Sequence, residues 1–85
     1  MAVRPMSAWS QRPDALERDF EFRDFAAAMA FVNRVADVAE AANHHPDILV
    51  HGRNKVRMTL STHSEGTLTD ADHALARQIE AVVSA

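Results

Sequence analysis

Leu16-Glu17-Arg18-Asp19-Phe20-Glu21-Phe22 alternates between apolar and charged side chains, and this stretch decides the fold class. Leu16, Phe20 and Phe22 share one face, while Glu17, Asp19 and Glu21 share the other. Successive side chains on a strand point to opposite faces, so a period of two reads as a half-buried antiparallel strand. Arg18 interrupts the apolar face, which is expected to be wet near its start. Upstream, Trp9 falls on a short preceding strand, with Arg12-Pro13-Asp14 as the turn between the two. Residues 1–8, punctuated by Pro5, read as a flexible lead-in.

Downstream the period changes. Asp24 is a good helix N-cap. From Phe25 to Ala42 the chain is rich in Ala and free of Gly and Pro, which favours helix. Asn33, Arg34, Asp37 and Glu40 mark a wet stripe; Phe25, Met29, Val32, Val35, Ala36 and Ala39 mark a buried one. Phe31 and Val38 lie on a flank, so the apolar arc is wider than one sheet contact requires. Pro46 disfavours helical backbone at His45 and ends the helix near Asn43.

Ile48-Leu49-Val50 then reads as strand, and His51-Gly52-Arg53-Asn54 carries turn residues. From Lys55 to Thr62 the alternation returns, with Val56, Met58 and Leu60 inward and Lys55, Arg57 and Thr59 outward. Glu65-Gly66-Thr67 is a loop. Thr69-Asp70-Ala71-Asp72 resembles a capping box with Asp in place of Glu or Gln. The last helix runs from Asp70 to about Val83 and turns Leu75, Ile79, Val82 and Val83 inward. The order is β-β-α-β-β-α. It predicts an α+β two-layer sandwich, an antiparallel four-stranded sheet with two helices on one face. The sheet's second face is left uncovered.

The 85 residues make a single domain over 1–85, and 47% hydrophobic residues suffice for a core. A chain this short buries only about 60–65% of its unfolded surface. It has no cysteine, so a tight core or self-association must supply the remaining stability. The net charge of −3 argues against nonspecific nucleic-acid binding. No apolar run reaches the length of about 18 residues that a membrane span needs. The first residues lack the apolar core of a signal peptide. Together with the absence of cysteine, this makes a cytoplasmic protein the expectation.

Two clusters carry the candidate chemistry. Asn43-His44-His45-Pro46-Asp47 ends one apolar stretch, and Ser61-Thr62-His63 ends another. Imidazole gives and takes protons near neutral pH. His44 and His45 read equally well as a positioned acid/base pair or as a polar helix terminus whose histidines face the last carbonyls. His63, with Ser61 and Thr62, reads as a strand-end site or as ordinary turn residues. If the two later strands pair, residues 47–50 lie alongside the far end of the strand from 55 to 62, and His63 approaches His44 and His45. Glu40 precedes His44 by four residues and would share its helix face; the commoner fate is a solvated surface acid. Asp72 reads alone as a first-turn helix acid, and His51 and His73 read as surface residues. Adjacent histidines rarely both reach one metal, and no H-E-x-x-H occurs, so no metal site is expected. Nucleophilic catalysis lacks a Cys or a Gly-flanked Ser. Gly52 and Gly66 alone cannot make a phosphate loop.

The run Phe20-x-Phe22-x-Asp24-Phe25, then Ala28, Phe31, Val35, Ala36, Ala39-Glu40, His44-His45-Pro46-Asp47, Asn54-Lys55-Val56, Leu60-Ser61-Thr62-His63 and Leu68-Thr69-x-x-Asp72 resembles the pterin-4a-carbinolamine dehydratase family over Leu16 to Val83. The resemblance implies dehydration of 4a-hydroxytetrahydropterin to the quinonoid dihydropterin, without metal or organic cofactor, in tetrahydrobiopterin recycling after aromatic amino acid hydroxylation. It implies a subunit that assembles as a homodimer or homotetramer through sheet and helix surfaces. It matches His44, His45 and His63 to the family's catalytic histidines. It places Asn43, Pro46, Ser61, Thr62, Glu40 and Asp72 around the pterin. On this footing His44 and His63 are expected to carry the protons and His45 to bind the hydroxyl and ring. One departure stands out: Gly52-Arg53 occupies the place where the family commonly has Tyr or Trp. A non-catalytic pterin-binding or protein-dimerisation module is the alternative the same resemblance allows.

Overall fold

The computed structural model describes residues 3–5, 9–62 and 66–84. Its elements in order are β1 (Val3–Pro5), β2 (Ser10–Arg12), β3 (Ala15–Phe22), α1 (Phe25–Ala42), β4 (Asp47–His51), β5 (Lys55–Leu60) and α2 (Asp70–Ser84). The four expected strands and both helices are present in the expected order, although Trp9, expected on the first of these strands, lies just before β2. Val3–Pro5, which the sequence reading left in the lead-in, adds a further short strand. All the pairings are antiparallel and the sheet order is β1-β3-β5-β4, with β2 also on β3. β1 and β2 lie end to end along one edge of β3, Val3 opposite Phe22 and Ser10 opposite Glu17.

Register sorts the side chains. On the inner face Leu16 pairs with Leu60 and Phe20 with Val56; on the outer face Glu17 meets Thr59, Asp19 meets Arg57 and Glu21 meets Lys55. The outer face is therefore a ladder of complementary polar pairs. Arg57 donates to both Asp19 carboxylate oxygens, at 2.7 and 3.3 Å, and this holds the Asp19 carboxyl below the usual carboxylate range.

The inner face packs on the helices around Phe20, Phe31, Met58, Leu60, Leu75 and Ile79, all nearly inaccessible to solvent. The ring of Phe31 sits 4.9 Å from Phe20 and 5.0 Å from Phe22. This triplet rotates α1 away from the stripe that periodicity suggested. Its buried residues are Ala28, Phe31, Val35 and Ala39, whereas Phe25 and Ala36 are exposed. An Ala-rich helix offers several apolar faces, and the bulky ring that meets the two strand phenylalanines selects among them.

Arg18 departs from expectation in the same way. It is not wet: it lies opposite Met58 in the inner layer, 8% exposed, and pairs with Glu80 of α2. Its guanidinium stands 4.6 Å from the centre of the Phe20 ring, a cation–π contact. Trp9 donates its indole N–H to the same Glu80 carboxylate at 3.0 Å. The apolar face stays closed because α2 supplies a counter-charge, which strand periodicity cannot foretell.

Candidate functional site

α1 starts where Asp24 accepts the Ala27 N–H at 2.8 Å. It ends at Asn43, whose backbone is left-handed (φ 52, ψ 41) and whose N–H reaches the Ala39 and Glu40 carbonyls. The His44 N–H also bonds to the Ala39 carbonyl, at 3.1 Å. This wrapping is a Schellman-type stop, and Asn is among the few non-glycine residues that accept it readily. It breaks the helical phase. His44 therefore does not stack over Glu40, as a continued helix would require. It turns inward to α2, and His45 comes round to Glu40 instead, Nε2 to Oε2 at 2.5 Å. The His45–Glu40 pair is exposed, whereas His44 is mostly buried.

β4 then pairs with β5, Asp47 opposite Thr59 and Val50 opposite Val56. That register sets the His44-His45-Pro46 corner at the Leu60 end of β5, as the sequence argument required. Thr62 lies beyond that end and faces the first turn of α2.

The centre of the site is Asp72, whose side chain is fully buried. Its Oδ1 faces His44 Nε2 at 2.5 Å. Its Oδ2 accepts the Thr62 hydroxyl at 2.7 Å and the Thr69 backbone N–H at 3.0 Å. Thr62 and Thr69 hydroxyls are 2.8 Å apart. A hydroxyl has one proton, so Thr62, donating to Asp72, receives its own bond from Thr69. The capping box is thus half realised. Asp72 caps the backbone N–H of Thr69, but the Thr69 hydroxyl is diverted into the site. Burial pushes the Asp72 carboxyl up, yet bonds from His44, Thr62 and the Thr69 N–H, with the charge of His44, hold it below the usual range.

This arrangement fixes the His44 tautomer. Nε2 must carry the hydrogen that Asp72 accepts, which leaves Nδ1 as the atom able to exchange a proton. Nδ1 of His44 has no hydrogen-bond partner among the described residues. Pro46 and Ser61 are half-buried, and Asn43 is exposed. His44, Thr62 and Asp72 are brought together; Glu40 and His45 form a separate pair nearer solvent. His63, expected to complete the constellation, lies outside the described residues. Thr69 was legible only as a helix cap. His51 and His73 are half-buried rather than surface residues, and Nε2 of His51 is buried with no hydrogen-bond partner among the described residues. No cluster of three or more metal-ligating side chains occurs among the described residues.

Gly52 and Arg53 both have positive φ, 57° and 61°, in the turn joining β4 and β5. Where the family resemblance expects an aromatic, the chain makes a tight left-handed turn instead.

The family model for pterin 4 alpha carbinolamine dehydratase matches residues 1–82. A protein of Thermomicrobium roseum provisionally named pterin-4-alpha-carbinolamine dehydratase is 45% identical over 82 residues, covering 96% of this chain and 87% of that one. Another with the same provisional name, from Acidobacterium capsulatum, is 51% identical over 78 residues, covering 92% and 84%. Among solved structures, a transcriptional coactivator/pterin dehydratase from Brucella melitensis superposes with a TM-score of 0.80 at 37% identity, covering 87% of this chain and 80% of that one. A pterin dehydratase-like protein identified as a RuBisCO assembly factor in the alpha-carboxysome superposes with a TM-score of 0.70 at 26% identity, covering 88% and 86%.

Proposed function

Because the chain belongs to the pterin 4 alpha carbinolamine dehydratase family, we propose that it dehydrates 4a-hydroxytetrahydropterin to the quinonoid dihydropterin by histidine acid/base catalysis, in tetrahydrobiopterin recycling. The observation that carries this reading is the buried Asp72 behind His44, which commits Nε2 and frees Nδ1 toward a substrate. An imidazole held this way is oriented for proton transfer.

The reaction needs one proton delivered and one removed. A protonated imidazole gives its proton to the departing 4a-hydroxyl, and the C4a–O bond breaks to release water. The N5 lone pair forms the C4a=N5 double bond, and a neutral imidazole takes the N5 proton. His44, through Nδ1, and His63 carry these transfers, and His45, braced by Glu40, binds the hydroxyl and ring. The sequence pattern alone supports the part given to His63. Charge is balanced by the two imidazoles, so the step calls for no metal and no organic cofactor. The absence of cysteine suits a cytosolic setting. No helix among the described residues is long and apolar enough to cross a membrane.

A turnover assay on synthetic 4a-hydroxytetrahydropterin, run with excess EDTA, tests the proposal. Steady dehydration is expected under chelation. His44→Ala and His63→Ala are each expected to lower kcat by about 10²-fold or more, while His45→Ala chiefly raises KM. Activity lost to EDTA and restored by zinc would overturn the mechanism, as would near wild-type turnover by a folded His44→Ala/His63→Ala double variant. A second reading, a non-catalytic pterin-binding or dimerisation module, draws support from the likeness to the RuBisCO assembly factor. A folded chain that binds a tetrahydropterin but releases no water would favour it.

A further inference from the structure

We propose that the cavity between the first hairpin and α2, lined by none of His44, Thr62 and Asp72, is a second binding site, for a small aromatic anion. The cavity measures about 230 Å³. One side is lined by Trp9, Gln11 and the buried Leu16. The other wall is a single stripe of α2: His73, Ala76, Arg77 and Glu80 follow the i, i+3, i+4, i+7 spacing of one helix face.

Charge decides what this space prefers. Glu80 lines the cavity too, but its carboxylate is already paired with Arg18 and accepts the Trp9 indole N–H. Its bond to the indole also fixes the orientation of the aromatic wall. No carboxylate pairs with Arg77 or His73 among the described residues. A space lined by Trp9, Leu16 and Ala76 together with a guanidinium and an imidazole suits an aromatic ring bearing a carboxylate, with Arg77 giving a charge-assisted bond and Trp9 a stacking or edge contact. Ligand pockets commonly hold about 300–1,000 Å³, so this smaller space suits a single substituted ring.

Trp9 is the only tryptophan of the chain, so its indole N–H gives a single NMR signal inside the proposed site. The test titrates the full chain with benzoate and, as the uncharged isostere, benzamide. Benzoate should shift the indole signal saturably, with a Kd on the order of 1–10 mM for so small a ligand. Benzamide and the Arg77→Gln variant should each weaken the response about tenfold. His44→Ala should leave it unchanged, so the outcome is independent of whether the dehydratase reading holds. The proposal is overturned by an indole signal that does not move through about 50 mM benzoate. An equal response to benzamide, persistence in a folded Arg77→Gln variant, or loss in a folded His44→Ala variant overturns it equally.

Discussion

Two oxygens of Asp72 serve an imidazole, a hydroxyl and a backbone amide, so a single-atom change there is informative. Asp72→Asn keeps the shape but offers an amide where His44 Nε2 expects an acceptor. His44 would then switch tautomer and present N–H at Nδ1 instead of a lone pair. Turnover should fall by about 10²–10⁴-fold with the fold retained, read by steady-state kinetics beside circular dichroism. The same carboxyl links stability to pH. Its folded value lies below the unfolded one, so its contribution is complete above about pH 4 and is lost as pH falls through the folded value. Urea melts from neutral to acid pH should show wild-type stability declining below about pH 4, with a shallower decline in Asp72→Asn. An equal slope in both would remove Asp72 from the linkage. At this scale the residues alone gave Asp72 only as a first-turn helix acid; the family resemblance grouped it with His44 and Thr62, and the structure shows both in contact with it. The sequence missed which carboxylate serves which imidazole, because four-residue spacing assumes an unbroken helix and Asn43 breaks it.

At the scale of elements, the stop of α1 aims the site. Asn43 occupies a left-handed conformation (φ 52) that β-branched residues strongly resist. Asn43→Gly should be nearly neutral in thermal melts, while Asn43→Val should cost about 1–2 kcal/mol. Asn43→Val should also lower kcat, since the His44 ring leaves the line of Asp72. Equal stability of the two variants would show that the cap is dispensable. The elements themselves were legible because strands with one polar face alternate cleanly, as Lys55 to Leu60 does. The rotation of α1 was not, since Phe25, Phe31 and several valines offer rival faces and only the Phe20–Phe22 pair on the sheet chooses Phe31. The burial of Arg18 was hidden for a related reason: its partner Glu80 comes from the far end of the chain.

For the whole molecule, the uncovered sheet face expected to promote assembly carries a ladder of polar pairs along β3 and β5, with Asp19–Arg57 an ion pair. Leu49, opposite Arg57, is the exposed apolar side chain on that face. Ile48 and Leu49 stand on the edge strand β4, 36% and 51% exposed. Val38, Ala81 and Val82 line a shallow groove of about 420 Å³ between the two helices. An open edge strand with apolar side chains invites pairing with a second copy. Sedimentation at micromolar concentration should therefore give a dimer or tetramer, and Leu49→Lys should shift it toward monomer. A folded monomer in the wild type would contradict this. One consequence reaches beyond any single experiment. The carboxylate that steers His44 also caps the first turn of α2, so a descendant lineage that abandoned the reaction would still be selected to keep an acid at position 72. The histidines are free to drift once turnover is unneeded; the aspartate is not. Among divergent descendants, Asp72 should outlast the activity, and its presence alone would be a poor guide to which of them remain enzymes.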